Sequence, residues 1–186
     1  MRSPFLCGTI LAAAINSFAG EAETRIALCL EVRALVSNFA VERAKSLTSR
    51  IYSEVGFQVE WNTRAECAKA GSIHIRIDAE APERIEPDVL AYALPYGGWG
   101  TCIHIFYDRI AAVHHDGLLG HVIAHEVAHV LEGIVRHSST GLLKPKWDSK
   151  DYFEMHHHAL PFAEEDVELL HLGLQMRTAR ALAATR

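Results

Sequence analysis

The large apolar residues in the first half of the chain switch between a spacing of two and a spacing of three or four. From Arg25 to Arg33 they occupy every second position, which is typical of a strand. Over 40–55 they follow at helical intervals, and Gly56 stands where a left-handed residue would end such a helix. Alternation then predicts three further strands and a shorter one, at 57–61, 73–77, 101–107 and 89–94.

The second half of the chain predicts two helices of different character. The helix predicted over 117–132 is apolar on most sides and is therefore expected to be buried, with Asp116 placed to cap its start and Gly133 to end it. A last helix is predicted over 162–176, where three acidic residues in the first turn favour the helix dipole. This order predicts an α+β fold: a mixed, twisted sheet of four to five strands, a backing helix, a buried helix and a C-terminal helix.

The chain begins with the pattern of a signal peptide. Arg2 supplies the charged start, 5–15 is a short apolar run, and Ser17-Phe18-Ala19 has the small residues of a cleavage site. A membrane anchor or a buried N-terminal helix is the alternative interpretation. The run is short for a membrane span, and no later stretch approaches about 18 unbroken apolar residues. We therefore expect residues 1–19 to be removed and 20–186 to form a single domain in the periplasm or outside the cell.

Composition narrows the range of partners. A net charge of −5 with no basic stripe excludes a nucleic-acid binding role, and nothing after the signal peptide indicates a membrane partner.

Beyond the signal peptide three cysteines remain, and export makes disulfides possible. They allow one bridge and one free thiol, or no bridge at all, and their spacing does not form a metal-binding pair. These cysteines are Cys29, Cys67 and Cys102.

The candidate chemistry lies on the buried helix, which carries His125-Glu126-Val127-Ala128-His129. Two histidines four residues apart lie on one helix face and reach one metal ion, while Glu126 lies beside that ion as a candidate general base. A catalytic zinc site needs a third protein ligand, and His137 follows the Gly133 stop at a suitable place. The remaining candidates for the third ligand are Glu154, Glu164 and Glu165.

The chain has twelve histidines, so the alternative interpretation of the motif is a pair of core histidines with ordinary hydrogen bonds. His121 shares the helix face one turn earlier and is expected to pack at the start of the helix. His114 and His115 are expected in a loop before it. The run 156–158 is expected to be a solvated loop that binds metal weakly at most.

These residues resemble the zinc site of metzincin-type zincins, and the His137-Ser138 ending resembles that of the matrixins. Small exported bacterial proteins of this kind are more similar still, in the stretches 106–109, 120–129 and 137–143 and in Trp147. The resemblance implies a zincin-like fold, Zn²⁺ bound by His125, His129 and His137, and Glu126 as general base. It also implies that 89–94 is an edge strand against which an extended peptide lies.

Two positions depart from the metzincin pattern. The glycine follows the second histidine of the motif by four residues rather than three, and the third histidine follows the glycine by four rather than three. Leu143 occupies the place of the methionine that packs below the metal, which leucine can replace by volume. The turn around His137 must therefore differ from the family's turn.

The leading functional hypothesis is a zinc-dependent hydrolase, expected to be a metallopeptidase, that acts on a peptide or protein substrate with Glu126 as general base. The alternative is a secreted, zinc-stabilised binding protein without catalytic activity. A purely structural site has no use for Glu126 and would be closed by a fourth ligand, often cysteine, and no cysteine is close to the motif. The sequence gives no prediction of substrate preference or oligomeric state.

Overall fold

The computed structural model describes residues 24–68, 71–94 and 102–184, so the predicted signal peptide at 1–19 lies outside the described residues. Within these ranges the fold is α+β, as predicted. In chain order the elements are β1 (Arg25–Val32), α1 (Asn38–Ser53), β2 (Gln58–Trp61), a 3₁₀ turn (Glu66–Ala68), β3 (Ile73–Asp78), β4 (Ala91–Leu94), β5 (Cys102–Phe106), α2 (Tyr107–Ala112), α3 (Leu118–Glu132), α4 (Ser149–His157) and α5 (Glu164–Ala184).

The strands form one mixed sheet in the order β2-β1-β3-β5-β4. The first four in this order are parallel, and β4 pairs antiparallel with β5 at the edge. Leu28 of β1 pairs with Ile73 of β3, and His74 of β3 pairs with Cys102 of β5. The mixed five-stranded sheet agrees with the prediction of four to five strands.

One face of this sheet forms the core, and helices α1 and α3 pack against it. The isoleucines of β3 and β5 on this face are almost completely buried, whereas the alternate residues point away from the helices. The two helices are joined by the Tyr52 hydroxyl, which donates to the carbonyl of Ala124 at 2.8 Å. They approach closely at Gly120, where a Cβ would lie 2.9 Å from the Leu47 side chain. The metal-motif helix α3 is therefore buried between the sheet and other helices.

One helix end is as predicted, since Gly133 has a φ of +68° and ends α3. Gly56 also has a positive φ, +87°, but α1 ends earlier, at Ser53, with Glu54 as its C-cap. The prediction that Asp116 caps α3 is wrong: Gly117 is the N-cap residue, and no side chain caps the helix. Asp116 instead forms an ion pair with Arg43 at 3.1 Å.

Two helices were not predicted. The strand predicted over 101–107 ends at Phe106 because Tyr107 begins the short helix α2. Helix α4 begins at a capping box formed by Asp148 and Asp151. Its last turn contains His156 and His157, so the prediction of a solvated loop there is wrong for these two residues.

Cys29 and Cys67 form a disulfide that ties β1 to the 3₁₀ turn, with their Cα atoms 5.7 Å apart. Cys102 carries a free thiol. Of the alternatives left open by the sequence, one bridge and one free thiol is therefore correct. Among the described helices none is both long enough and apolar enough to cross a membrane.

Candidate metal centre

Three histidines converge at the end of helix α3. His125 and His129 lie one turn apart on α3, and His137 comes from the loop that follows it. One ring nitrogen from each lies within 4.8 Å of the other two. The Nε2 atoms of His125 and His129 are 3.0 Å apart, close to the separation of about 3.3 Å for two imidazole nitrogens on one tetrahedral zinc ion. The three residues predicted as ligands are thus placed where one ion could contact them all.

The orientation of His125 is fixed by the loop below it. Its Nδ1 lies 2.8 Å from the carbonyl oxygen of Leu142. A carbonyl only accepts, so Nδ1 must carry the hydrogen, and in the neutral ring Nε2 then presents a lone pair. Burial, and secondarily His129, lowers the pKa of His125 to about 3. This combination of a neutral ring and a carbonyl on the far nitrogen is the usual environment of a metal-binding histidine.

His129 is buried, and its ring makes fewer hydrogen bonds than the ring of His125. Its Nδ1 is buried and has no hydrogen-bond partner among the described residues. Its Nε2 faces the Nε2 of His125 rather than a backbone or carboxylate group. Burial and the neighbouring His137 lower the pKa of His129 to about 4, which also keeps this ring neutral. The Nε2 atoms of two neutral imidazoles thus face each other 3.0 Å apart, and a cation bound between them would accept a lone pair from each.

His137 is exposed, and its neighbours in the chain hold it in place. Both Arg136 and Ser138 bind Asp166, a fully buried carboxylate in the first turn of α5. Arg136 reaches it with two nitrogens, at 3.0 and 3.1 Å, and the Ser138 hydroxyl donates to the same oxygen. The other Asp166 oxygen accepts from the backbone of Ala163. Asp166 therefore anchors the loop on both sides of His137.

This role of Asp166 was not predicted, because an acid in the first turn of a helix has the simpler explanation of the helix dipole. The carboxylates predicted as alternative ligands lie elsewhere. Glu165 forms an ion pair with Arg136 at 2.9 Å, and Glu154 lies 4.0 Å from Lys150. Among the described residues, neither they nor Glu164 belongs to a group of three metal-ligating side chains.

Glu126 is buried beside the histidines, with only 8% of its surface exposed. No hydrogen bond within the described part of the chain reaches its carboxylate. Burial raises the pKa of Glu126 to about 8. A nearby cation would favour the ionised form and lower this value again. The carboxylate that is ionised in this way can accept a proton from water and later return it.

The floor of the centre is a tight loop built from Leu142 and Leu143, both fully buried. The carbonyl of Leu143 accepts from the backbone of Ser138 at 2.8 Å. Gly141 has φ +72°, and a Cβ there would lie 2.3 Å from the carbonyl oxygen of Pro161, so only glycine fits. Leu143 is thus a buried residue of the loop whose Leu142 carbonyl contacts His125.

The other histidines near the helix have structural contacts. His121 is fully buried: Nδ1 donates to the carbonyl of Gly117 at 2.9 Å, and Nε2 accepts from the backbone of Leu160 at 3.1 Å. It packs at the helix start, as predicted. His115 lies in the loop but is buried, with its ring 4.1 Å from that of His156. Its Nε2 donates to the carbonyl of Tyr152.

Comparison with protein-family models and with curated proteins finds no significant match to this chain. The chemistry of the centre is therefore inferred from its residues and their geometry alone.

Proposed function

We propose that this protein is a zincin-like, zinc-dependent hydrolase, and specifically a metallopeptidase. The observation that carries the proposal is the convergence of His125, His129 and His137 within 4.8 Å, beside the buried carboxyl of Glu126. A mixed sheet with an antiparallel edge strand next to the helix that carries the motif is consistent with the zincin-like part of the proposal.

The donor set suits zinc better than a hard cation. Three neutral imidazoles favour Zn²⁺ over Mg²⁺ or Ca²⁺, which prefer oxygen ligands. No fourth histidine, cysteine or carboxylate from the described residues joins this group. Three protein ligands with one position left open distinguish a catalytic zinc site from a closed structural one.

In this proposal each residue has a separate task. Zn²⁺, when bound, would supply a Lewis acid that polarises the scissile carbonyl and makes water easier to deprotonate. Glu126 accepts the proton of the attacking water and then donates it to the leaving amine nitrogen. Its buried position keeps the proton from bulk solvent between these two transfers. The Leu142 carbonyl holds the His125 ring in the neutral tautomer, with its Nε2 lone pair directed towards His129.

The proposed substrate is a peptide or protein segment in extended form. Strand β4 lies at the sheet edge and packs near α3, and its outer side is not paired with any described strand. An extended peptide could add to this edge through backbone hydrogen bonds, which would bring its carbonyls alongside the helix with the metal motif.

Metal analysis together with a Glu126→Gln variant tests the proposal. We expect about one tightly bound zinc per chain in both proteins. Wild type should cleave members of a mixed peptide library in a chelator-sensitive reaction. The variant should lose about 10²–10⁴-fold of this activity, since an amide cannot accept the proton.

The non-catalytic alternative, a zinc-stabilised binding protein, predicts one zinc and no cleavage by either protein. Equal cleavage by wild type and variant would eliminate Glu126 as the base. Full zinc occupancy in a His137→Ala variant under mild chelation would place the third ligand elsewhere.

We further propose that the protein acts outside the cytoplasm after loss of residues 1–19. The support is the Arg2 start, the short apolar run and the small residues at Ser17 and Ala19. N-terminal sequencing of protein secreted by a bacterial host should give a start near Gly20. Soluble protein that retains Met1 in the cytoplasmic fraction would refute export.

A further inference from the structure

The face of the sheet that points away from α1 and α3 has its own group of reactive side chains. It borders a cavity of about 880 Å³ that is lined by residues of β1, β3 and β5 and by the Cys29–Cys67 disulfide. Neither the histidines of the metal centre nor Glu126 lines this cavity. Any site here is therefore separate from the proposed catalytic centre.

Cys102 and His104 stand two residues apart on β5, so their side chains are on the same face of the sheet. The Cys102 Sγ lies 3.6 Å from the His104 Nε2. One sulfur and one imidazole ligand on a tetrahedral zinc ion would be about 3.5 Å apart, given the usual bond lengths. Among the described residues Cys102 is the free cysteine, so its sulfur is available as a ligand.

The second nitrogen of His104 is already held by a carboxylate. Its Nδ1 lies 2.8 Å from the Oδ2 of Asp78. A carboxylate oxygen accepts, so the hydrogen of this bond is on His104 Nδ1, and Nε2 is the ring atom that faces the sulfur. A carboxylate behind a histidine in this way fixes the ring and makes it a better metal ligand. Tyr92 stacks on the same ring, with centroids 5.0 Å apart, and fixes it further.

The neighbouring strand supplies a third candidate ligand. His74 is the register partner of Cys102 on the parallel strand β3, so the two side chains emerge side by side on the same face. His74 is exposed and lines the same cavity. Cys102, His104 and His74 do not form a group of three ligand atoms within 4.8 Å in this structure, so the His74 ring must adopt another rotamer to bind an ion held by the other two. Arg76, the nearest cation on β3, already interacts with Glu31 at 3.3 Å.

We propose that Cys102, His104 and His74 form a second metal site, for a soft or borderline ion such as Zn²⁺ or Cu⁺, with Asp78 supporting His104. A thiolate with imidazoles favours this class of ion over Mg²⁺ or Ca²⁺. The site is open to solvent through the cavity, so it would bind its ion reversibly and leave a coordination position for an external ligand.

Cobalt titration tests this site without interference from the first. Co²⁺ bound to a thiolate gives a charge-transfer band in the near ultraviolet, and a site of three histidines gives none. We expect a saturable band at one equivalent of thiolate-bound cobalt in the full chain under anaerobic, non-reducing conditions. His125→Gln/His129→Gln protein should retain it, so the outcome is independent of the proposed catalytic function.

The ligand variants should each change this band in a defined way. Cys102→Ser and His104→Gln should abolish it, and His74→Gln should weaken cobalt binding at least tenfold. Asp78→Asn should weaken it by about 10–100-fold, as observed for carboxylates behind metal-bound histidines. The exposed His114→Gln is the matched control and should bind cobalt as wild type does.

Thermal unfolding checks that each variant is folded, and Cys102→Ala serves as a second variant if Cys102→Ser is not. The absence of a thiolate band in wild type would overturn the proposal. So would a band that persists in folded Cys102→Ala, or unchanged cobalt affinity in both His74→Gln and His104→Gln.

Discussion

A single buried carboxylate, Asp166, connects the loop that carries His137 to the first turn of α5. It binds Arg136 and Ser138, which flank the histidine on either side. The position of the His137 ring therefore depends on contacts that none of the proposed ligands makes. Residues of this kind commonly affect metal affinity by about 10–100-fold although they do not contact the ion.

We predict that Asp166→Asn weakens zinc binding by about 10–100-fold, because the amide loses the charge and one of the acceptor oxygens that hold the loop. Competition with a chromophoric chelator, in a Cys102→Ser background, measures the affinity. The visible spectrum of the cobalt form should also change as the third ligand moves, which a loss of stability alone would not cause.

Glu165→Gln provides the matched control for this variant. Glu165 also pairs with Arg136, but its side chain is 74% exposed, so solvent screens the interaction. Zinc affinity should stay within about twofold of wild type, because exposed ion pairs contribute little. If Asp166→Asn leaves both affinity and spectrum unchanged, His137 is positioned by the backbone of the loop alone.

Sequence reasoning could find His137 but not Asp166. The histidine follows a glycine that ends the helix, and this local signal places it near the motif. Asp166 acts through Arg136 and Ser138, which are 30 and 28 residues away in the chain. Only the packing of α5 against the end of α3 creates these contacts, and an acidic first turn has the simpler explanation of the helix dipole.

At the scale of elements, α5 packs across the end of α3, and the point of closest approach on α5 is Gly173. A Cβ on Gly173 would lie 1.9 Å from the carbonyl oxygen of Leu131. The two helix backbones therefore approach more closely there than any side chain would allow. This crossing places the first turn of α5, with Asp166, against the loop of the metal centre.

We predict that Gly173→Ala destabilises the fold by about 1–3 kcal/mol, since the new methyl overlaps backbone atoms that cannot move independently. At an exposed helix position, replacing glycine with alanine would stabilise the fold by up to about 1 kcal/mol. The sign of the change in unfolding free energy therefore shows whether the helices are in close contact at Gly173. Urea unfolding measures it. The exposed Gln175→Ala on the same helix should change stability by less than about 0.5 kcal/mol. A stabilised Gly173→Ala would mean that α5 does not sit this close to α3.

The strands were predicted more accurately than the short helices. Alternation identified β1, β2 and β3 to within a residue or so, because in each the residues on one face are less exposed than those on the other. In β2 the inner residues, Val59 and Trp61, are only half-buried. Helix α2 was missed, since its first residue, Tyr107, continues the β-branched and aromatic composition of β5. Helix α4 was missed because the histidine run 156–158 at its end indicated a solvated loop, and its Asp148 cap was not recognised.

At the scale of the whole molecule, the Cys29–Cys67 disulfide closes a loop over a sequence separation of 38 residues. This loop contains all of α1 and β2, so the bridge restricts much of the unfolded chain. In the chain-entropy view, a loop of this length contributes about 4 kcal/mol to stability.

We predict that Cys29→Ser/Cys67→Ser lowers the free energy of unfolding by about 2–4 kcal/mol, measured by urea denaturation under non-reducing conditions. Cys102→Ser is the control, because that thiol is not part of a bridge. Its denaturation midpoint should stay close to that of wild type. Identical midpoints for the double variant and wild type would show that the bridge is absent in solution or contributes nothing.

The parallel order of the sheet has a consequence for how fast the chain can fold. Strand β1 can pair with the central strand β3 only after α1 and β2 have been looped out, as the pairing of Leu28 with Ile73 requires. Parallel pairings between distant segments form slowly, because loop-closure entropy must be overcome before they gain stability. Until then the apolar residues of β1 are exposed and prone to aggregate. Overproduction should therefore succeed best at low temperature and slow synthesis, which give this long-range pairing time to form.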